Sequence, residues 1–202
     1  MTTSQPDRAT LVVGIFVGGR GSRMGGTAKG LLKAPNSDAG LVERLLAELA
    51  RAVPSAEVVL VGDPEAYASL SLRAVNDEPP GIGPLGGLLG LLLHAERRGA
   101  DAALALACDL PRLEAPLLRR LAHESSAAGA LVTAQAGVRN PLIARYAVAQ
   151  ALPAARAVLA AGARSLQAVL DRLGPSLVGL ALSSAEEASL ADWDTPEDVA
   201  SG

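Results

Sequence analysis

Short apolar runs alternate with stretches of helical period from Leu11 to Ala134, and this alternation limits the chain to few folds. Leu11–Val17 reads as a buried strand. Leu41–Ala52 reads as a helix with Leu41, Leu45, Leu46 and Leu49 on one face. Val58–Val61 is a second strand, stopped by Gly62-Asp63-Pro64, and Leu72–Val75 a short third one. A helix over Gly86–Arg98 leads into a buried strand, Ala102–Ala107, ending at Cys108-Asp109. A helix over Leu117–Ser125 and an extended segment over Ala130–Ala134 complete the pattern. Strands separated by helices imply right-handed parallel crossovers, hence a Rossmann-like three-layer α/β sandwich: a mostly parallel central sheet with helices on both faces. The 202 residues suit one domain, expected over residues 10–202, with Met1–Ala9 as a disordered tail and Asn36–Gly40 as a turn or hairpin tip.

In such sheets ligands bind outside the carboxyl ends of the strands. Three candidates fall there: Gly18 after the first strand, Asp77 after the third and Asp109 after the fourth. The first opens a loop rich in glycine and cation. Gly18, Gly19, Gly21, Gly25 and Gly26 lie among Arg20, Arg23 and Lys29, with no acidic residue between them. Glycines let backbone N–H groups approach an anion closely, so a loop of this kind after a strand suits polyphosphate. Of eighteen cationic residues only Lys29 and Lys33 are lysines. A compact ammonium retained in an otherwise arginine-rich chain is chemically distinct at a phosphate. A solvated, flexible turn is the alternative.

Two familiar phosphate motifs do not fit. A P-loop requires Lys-Ser/Thr after its glycine, whereas Gly25-Gly26 is followed by Thr27-Ala28-Lys29-Gly30. A dinucleotide fingerprint requires a small third residue, and Gly19-Arg20-Gly21-Ser22-Arg23-Met24 has Met there. A net charge of −3 gives no reason to expect nucleic acid or an anionic membrane as partner. One cysteine, Cys108, and two separated histidines, His94 and His123, exclude a disulfide framework and argue against a Cys- or His-based metal site. No secretory signal is visible and Pro84–Leu93 is too short to span a bilayer, so a soluble, cytoplasmic protein is expected.

The segment Gly18-Gly-Arg-Gly-Ser-Arg-Met-Gly-Gly-Thr-Ala-Lys-Gly-Leu-Leu32 resembles the signature loop of the molybdenum cofactor guanylyltransferases, members of the wider nucleotidyltransferase family. Further segments agree in order: Asp77 with Gly83-Pro84-Leu85-Gly86-Gly87-Leu88, Cys108-Asp109-Leu110-Pro111, Asn140-Pro141-Leu142-Ile143-Ala144, and Asp194-Thr195-Pro196-Glu197-Asp198. The resemblance runs from Phe16 to Val199 and implies the fold of the nucleotide-diphospho-sugar transferases.

It also implies roles. Phe16, Val17, Gly18 and Gly19 would lie against the nucleotide, Lys29 and Arg23 on the phosphates, and Asp77 near the nucleoside. Asp109, at the end of an apolar strand, would hold Mg²⁺, which favours one or two carboxylates with phosphate and water completing its shell. Capping of the next helix is the other reading of Asp109, and of Asp194, a candidate second magnesium ligand. Phe16 can also be core packing and Asp77 a solvated turn residue. Asn140, Pro141 and Arg145 would lie at the acceptor, and Arg164 at an acceptor phosphate. The alternatives are a turn into a strand for Asn140-Pro141 and an exposed helix position for Arg164. Cys108 reads as a small buried strand residue, with no histidine near in sequence to activate it.

The activity implied is Mg²⁺-dependent transfer of GMP from GTP to the phosphate of molybdopterin, with release of pyrophosphate and transient contact with cofactor-biosynthesis enzymes or acceptor molybdoenzymes. Arg20 and Arg23 would help Lys29 neutralise the leaving group. Two departures from the family pattern bear on specificity. Asp192 and Asp194 stand where guanylyltransferases commonly carry Asn and cytidylyl-transferring relatives carry Asp, and Ala28 stands where an acidic residue often precedes the lysine. They keep CTP, a sugar or alcohol phosphate acceptor, and a non-catalytic nucleotide-binding role open.

Overall fold

The computed structural model describes residues 11–17, 28–35, 37–124 and 128–193. Its elements are β1 (Leu11–Phe16), α1 (Leu41–Ala52), β2 (Glu57–Val61), β3 (Arg73–Val75), α2 (Pro84–Arg98), β4 (Ala102–Ala107) and α3 (Ala115–His123). There follow β5 (Ala130–Gln135), β6 (Val138–Ala147), α4 (Val148–Ala160), α5 (Leu166–Leu173), β7 (Leu177–Gly179) and α6 (Ser184–Ser189). The strands form one sheet in the order β3-β2-β1-β4-β6-β5-β7. The pairs β1–β2, β1–β4, β2–β3 and β5–β7 are parallel, and β6 runs antiparallel to both neighbours.

Alternation along the strands divides the core in two. Val12 and Phe16 of β1, Val59 and Val61 of β2, and Ala103 and Ala105 of β4 face α2, α4 and α5. Val13 and Ile15, Leu60, and Leu104 and Leu106 face α1 and α3. The expected three layers are therefore present. Strands and helices expected up to Ala134 are present within a residue or two, and the helix expected from Leu117 starts earlier, at Ala115, with Pro116 in its first turn. Lys33 pairs with Gly40 and the Ala34 N–H donates to the Ala39 carbonyl, so the turn before α1 is a hairpin tip.

The reversal of β6 is not foreshadowed by an apolar/polar alternation. It is made by a two-residue turn, Ala136-Gly137, with both φ values positive (48° and 80°), the twist that hairpin connections favour. The register of β5 against β6 then slips: Thr133 faces Asn140 while Val132 faces Ala144. Pro141, Leu142 and Ile143 thus have no counterpart on β5, and Pro141 is tolerated in a strand because it sits in this bulge. The buried Thr133 hydroxyl donates to the Ile143 carbonyl (3.0 Å) and the buried Tyr146 hydroxyl to the Pro141 carbonyl (2.7 Å), holding the bulge from both sides.

Helix α2 lies unusually close to the chain that follows β3. A Cβ on Gly90 would fall 2.2 Å from the Asn76 carbonyl oxygen, and one on Gly86 would fall 2.7 Å from that of Pro79. Both obstacles are backbone, which cannot swing aside. Gly90→Ala should therefore lower Tm by roughly 2–8 °C, overpacking of about 1–3 kcal/mol outweighing the helix propensity regained. Thermal unfolding followed by circular dichroism checks this, and an unchanged or raised Tm would mean that α2 shifts freely.

Candidate active site

The parallel strands end along one edge of the sheet, and the segments leaving them meet there. β1 passes into Val17, whose N–H donates to the Val61 carbonyl (3.0 Å), so the ladder extends one residue past the strand. Phe16 and Val17 are both buried, on opposite faces of the sheet. The Phe16 side chain is thus core packing, leaving its backbone at the strand end.

Asp77 lies two residues beyond β3, half-buried against the start of α2. The helix begins at Gly83 (φ 77°, ψ −156°), a conformation in which any side chain would be strained, followed by Pro84 in the first turn. A Cβ on Gly87 would meet the Phe16 ring at 2.8 Å and Asp77 Oδ1 at 3.3 Å. The bare helix surface at Gly87 therefore brings Asp77 and Phe16 together. Burial raises the Asp77 carboxyl above its ordinary pKa.

On the other side of β1, Lys29 and Asp109 form an ion pair, with Lys29 Nζ donating to Asp109 Oδ2 at 3.0 Å. Their side chains keep 24% and 16% exposure, so the pair is partly desolvated but reachable. Lys33, the other lysine, instead pairs with Asp38 on the exposed hairpin. The segment after Asp109 is fixed by α1: Arg44 donates to the Leu113 carbonyl (2.7 Å), and the buried Glu48 carboxylate accepts the Ala115 N–H (2.9 Å). That N–H belongs to the first turn of α3, so the carboxylate capping this helix comes from α1 and not from Asp109.

Trp193 closes this corner. Its N–H donates to the Asp109 carbonyl (3.0 Å), and its buried side chain packs with Ala34, Leu41 and Leu32. Trp193 lies between Asp192 and Asp194 in the sequence. Asp194, Gly18, Gly19, Arg20 and Arg23 lie outside the described residues. Burial, with the neighbouring Asp109 charge, pushes the Cys108 thiol up to about 12, which agrees with a buried strand residue and not with a nucleophile.

Beyond β4 lies the bulge of β6. Ile143 pairs with Leu106, so Asn140, Pro141 and Leu142 run alongside the chain that leads to Asp109. Asn140-Pro141 is therefore part of a bulged strand and not a turn. Arg164 is exposed in the link between α4 and α5, not within a helix. Gln167, in the first turn of α5, donates to the Arg139 carbonyl (2.7 Å) and ties this link to the bulge. Arg145 is directed elsewhere: its guanidinium donates to the carbonyls of Ala122 and Glu124 at 3.0 Å each, capping the C-terminus of α3. The acceptor role expected of Arg145 gives way to that helix cap.

Tyr67 was not signalled by the sequence. It is buried in the 3-10 segment Glu65–Leu70, and its hydroxyl accepts the Gly30 N–H at 3.1 Å. Nothing in the run Glu65-Ala-Tyr-Ala-Ser-Leu70 distinguishes it from an ordinary core aromatic. The missing side chain of Gly30 is the only trace, since a Cβ there would lie 2.8 Å from the Tyr67 oxygen and 2.4 Å from Val42 Cγ2.

Among the described residues there is no group of three or more His, Cys, Asp or Glu side chains that could hold a metal ion by themselves. A cation at this edge would depend on Asp109 and on the ligands it brings with it. No helix in the described residues is long and apolar enough to cross a membrane.

Comparison with known proteins identifies the family and the fold. The family model described as the MobA-like NTP transferase domain matches residues 13–176. A probable molybdenum cofactor guanylyltransferase of Chloroflexus aggregans is 33% identical over 198 residues, covering 94% of this chain and 92% of its own. A molybdenum cofactor guanylyltransferase of Cereibacter sphaeroides is 34% identical over 187 residues, 92% of each chain. Two solved structures share the fold. Molybdopterin-guanine dinucleotide biosynthesis protein A from Archaeoglobus fulgidus has a TM-score of 0.72 at 23% identity, covering 94% of this chain and 95% of that one. The 4-diphosphocytidyl-2C-methyl-D-erythritol synthase from Anaerococcus prevotii has a TM-score of 0.71 at 12% identity, covering 96% of each. The chain belongs to the MobA-like NTP transferase family and is a nucleotidyltransferase.

Proposed function

We propose that the protein transfers GMP from GTP to the phosphate of molybdopterin in the cytoplasm, releasing pyrophosphate. The observation that carries this reading is the order of groups along the sheet edge. Asp77 and Phe16 meet on one side, Lys29 and Asp109 pair next to β1, and the Asn140–Leu142 bulge follows beyond β4. From β3 to β6 is about 19 Å at ordinary strand spacing. A nucleoside, its phosphates and an acceptor can be laid along that edge in sequence.

In this reading Asp77 and the backbone of Phe16 and Val17 hold the nucleoside, with Gly18 and Gly19 continuing the cradle. Lys29 leaves its pairing with Asp109 to reach the triphosphate, and Arg23 joins it there. A terminal phosphate oxygen of the acceptor attacks the α-phosphorus, and the bond to the β-phosphate breaks. The nucleophile is already ionised at neutral pH, so the reaction needs no general base. Lys29 and Arg23 meet the charge that collects on pyrophosphate; catalysis is positioning and charge compensation.

Asp109, a partly exposed carboxylate at a strand end, is suited to magnesium, and Asp194 is the proposed second ligand. When bound, the cation supplies charge neutralisation for the phosphates. Asn140, Pro141 and Arg164 take the acceptor, supported by the bulge beside β4 and by the Gln167 contact that ties the Arg164 link to it. The names of the relatives favour GTP. Asp192 and Asp194 favour a second reading, CTP, because they stand where guanylyl-transferring enzymes commonly carry Asn.

A panel of the four triphosphates with molybdopterin and magnesium, read by pyrophosphate release, separates the two. Release with GTP alone is expected; release with CTP alone would assign the cytidylyl reaction, and release with neither would leave a binding protein. Asp109→Ala should reduce magnesium-dependent turnover by about 10²-fold or more in a folded protein. Lys29→Ala should lower affinity for Mg·GTP at least about tenfold in titration calorimetry. Near-normal values for either would remove that residue from the site.

A further inference from the structure

We propose that Tyr67 is a positioning residue of the nucleotide site, its hydroxyl fixing the Lys29 segment relative to the strand end that carries Asp109. The proposal rests on the reading of Lys29 and Asp109 given above. Tyr67 is 2% exposed, and a buried phenol needs a hydrogen-bond partner. The oxygen accepts the N–H of Gly30, the residue after Lys29, at 3.1 Å. Tyr67 shares one buried cluster with Cys108, the residue before Asp109, and with Val17 and Leu106 of the neighbouring strands.

Tyr67 thus ties the backbone beside Lys29, by its hydroxyl, to the core against which the strand end of Asp109 is packed, while the Lys29 and Asp109 side chains meet at 3.0 Å. Burial pushes the Tyr67 phenol up to about 12, so the group facing Gly30 is a neutral hydroxyl. Packing alone does not need this oxygen. Phe would fill the same space, whereas the hydrogen bond of the hydroxyl is directed at the segment that carries Lys29.

The functional consequence follows from lysine itself. Its ammonium is a point charge on a flexible four-carbon stem, so where it can deliver charge depends on where its backbone is held. A misplacement of about 1 Å at a site that works by positioning can cost about 10²-fold in rate. Gly30 is the matching half of the device. Lacking a side chain, it lets the segment approach the hydroxyl; a Cβ would meet both the Tyr67 oxygen and Val42.

The test is a double-mutant cycle on Mg·GTP affinity by titration calorimetry, using wild type, Tyr67→Phe, Lys29→Ala and the double variant. Tyr67→Phe alone should weaken binding about tenfold, and in the Lys29→Ala background it should weaken it no further. The KM for the acceptor should be unchanged by Tyr67→Phe. An equal loss in both backgrounds, or no loss, would overturn the positioning role while leaving Lys29 in place. No effect of Lys29→Ala itself would overturn both the reading of Lys29 and this proposal. Should Tyr67→Phe not fold, amide hydrogen exchange of Gly30 in the wild-type protein decides: a protected amide supports the anchor, and one exchanging at the rate of a free loop refutes it.

Discussion

The structure depends on the ladder through β1. This strand is hydrogen-bonded in parallel to β2 on one side and β4 on the other, and all six of its residues are buried. A parallel strand bonded on both sides has little freedom to slide, because a shift of one residue would turn its two apolar faces inside out. The strand ends around it are therefore fixed in relation to one another. Phe16 is aligned with Val61 and with Ala107, and the crevice groups are set by how far each chain continues before it turns away.

Much of this was legible in the sequence because the runs that build it are short, apolar and separated by helices of ordinary period. The places of Asp77 and Asp109 followed from where those runs stop. The hairpin of β5 and β6 was less legible. Val138–Ala147 contains Asn140, Pro141 and Arg145, which spoil an alternating pattern, and its turn carries Ala where positive φ usually selects Asn, Asp or Gly. The roles of single polar residues were harder still. Arg145 lies on a strand that reaches the crevice, yet its guanidinium turns to the end of α3, a choice made by two orphan carbonyls far away in the chain. Tyr67 escaped notice for the same reason: its hydrogen-bond partner, Gly30, is 37 residues away in the chain and is brought to it only by the packing of the core.

Glycine is used in this protein for two opposite purposes. In α2, Gly86, Gly87 and Gly90 remove side chains so that the helix can lie against backbone and against Phe16, giving the Asp77 side of the crevice a rigid floor. At Gly83 and Gly137 the surroundings are open and it is the positive φ that matters. The first use tightens the structure and the second turns it, and the site needs both.

The bulge in β6 bears on how such a fold diversifies. The excursion from Thr133 to Ile143 is bounded by paired residues, Val132 opposite Ala144, and beyond them Ala144–Ala147 keep their own register against β4. Residues can be exchanged, added or removed within that excursion without disturbing the ladder that aligns β1, β2 and β4. It behaves as a cassette inserted at one end of a fixed frame. A lineage could thereby reshape this end of the crevice by rewriting about ten residues, leaving the half built by β1, β3 and α2 untouched.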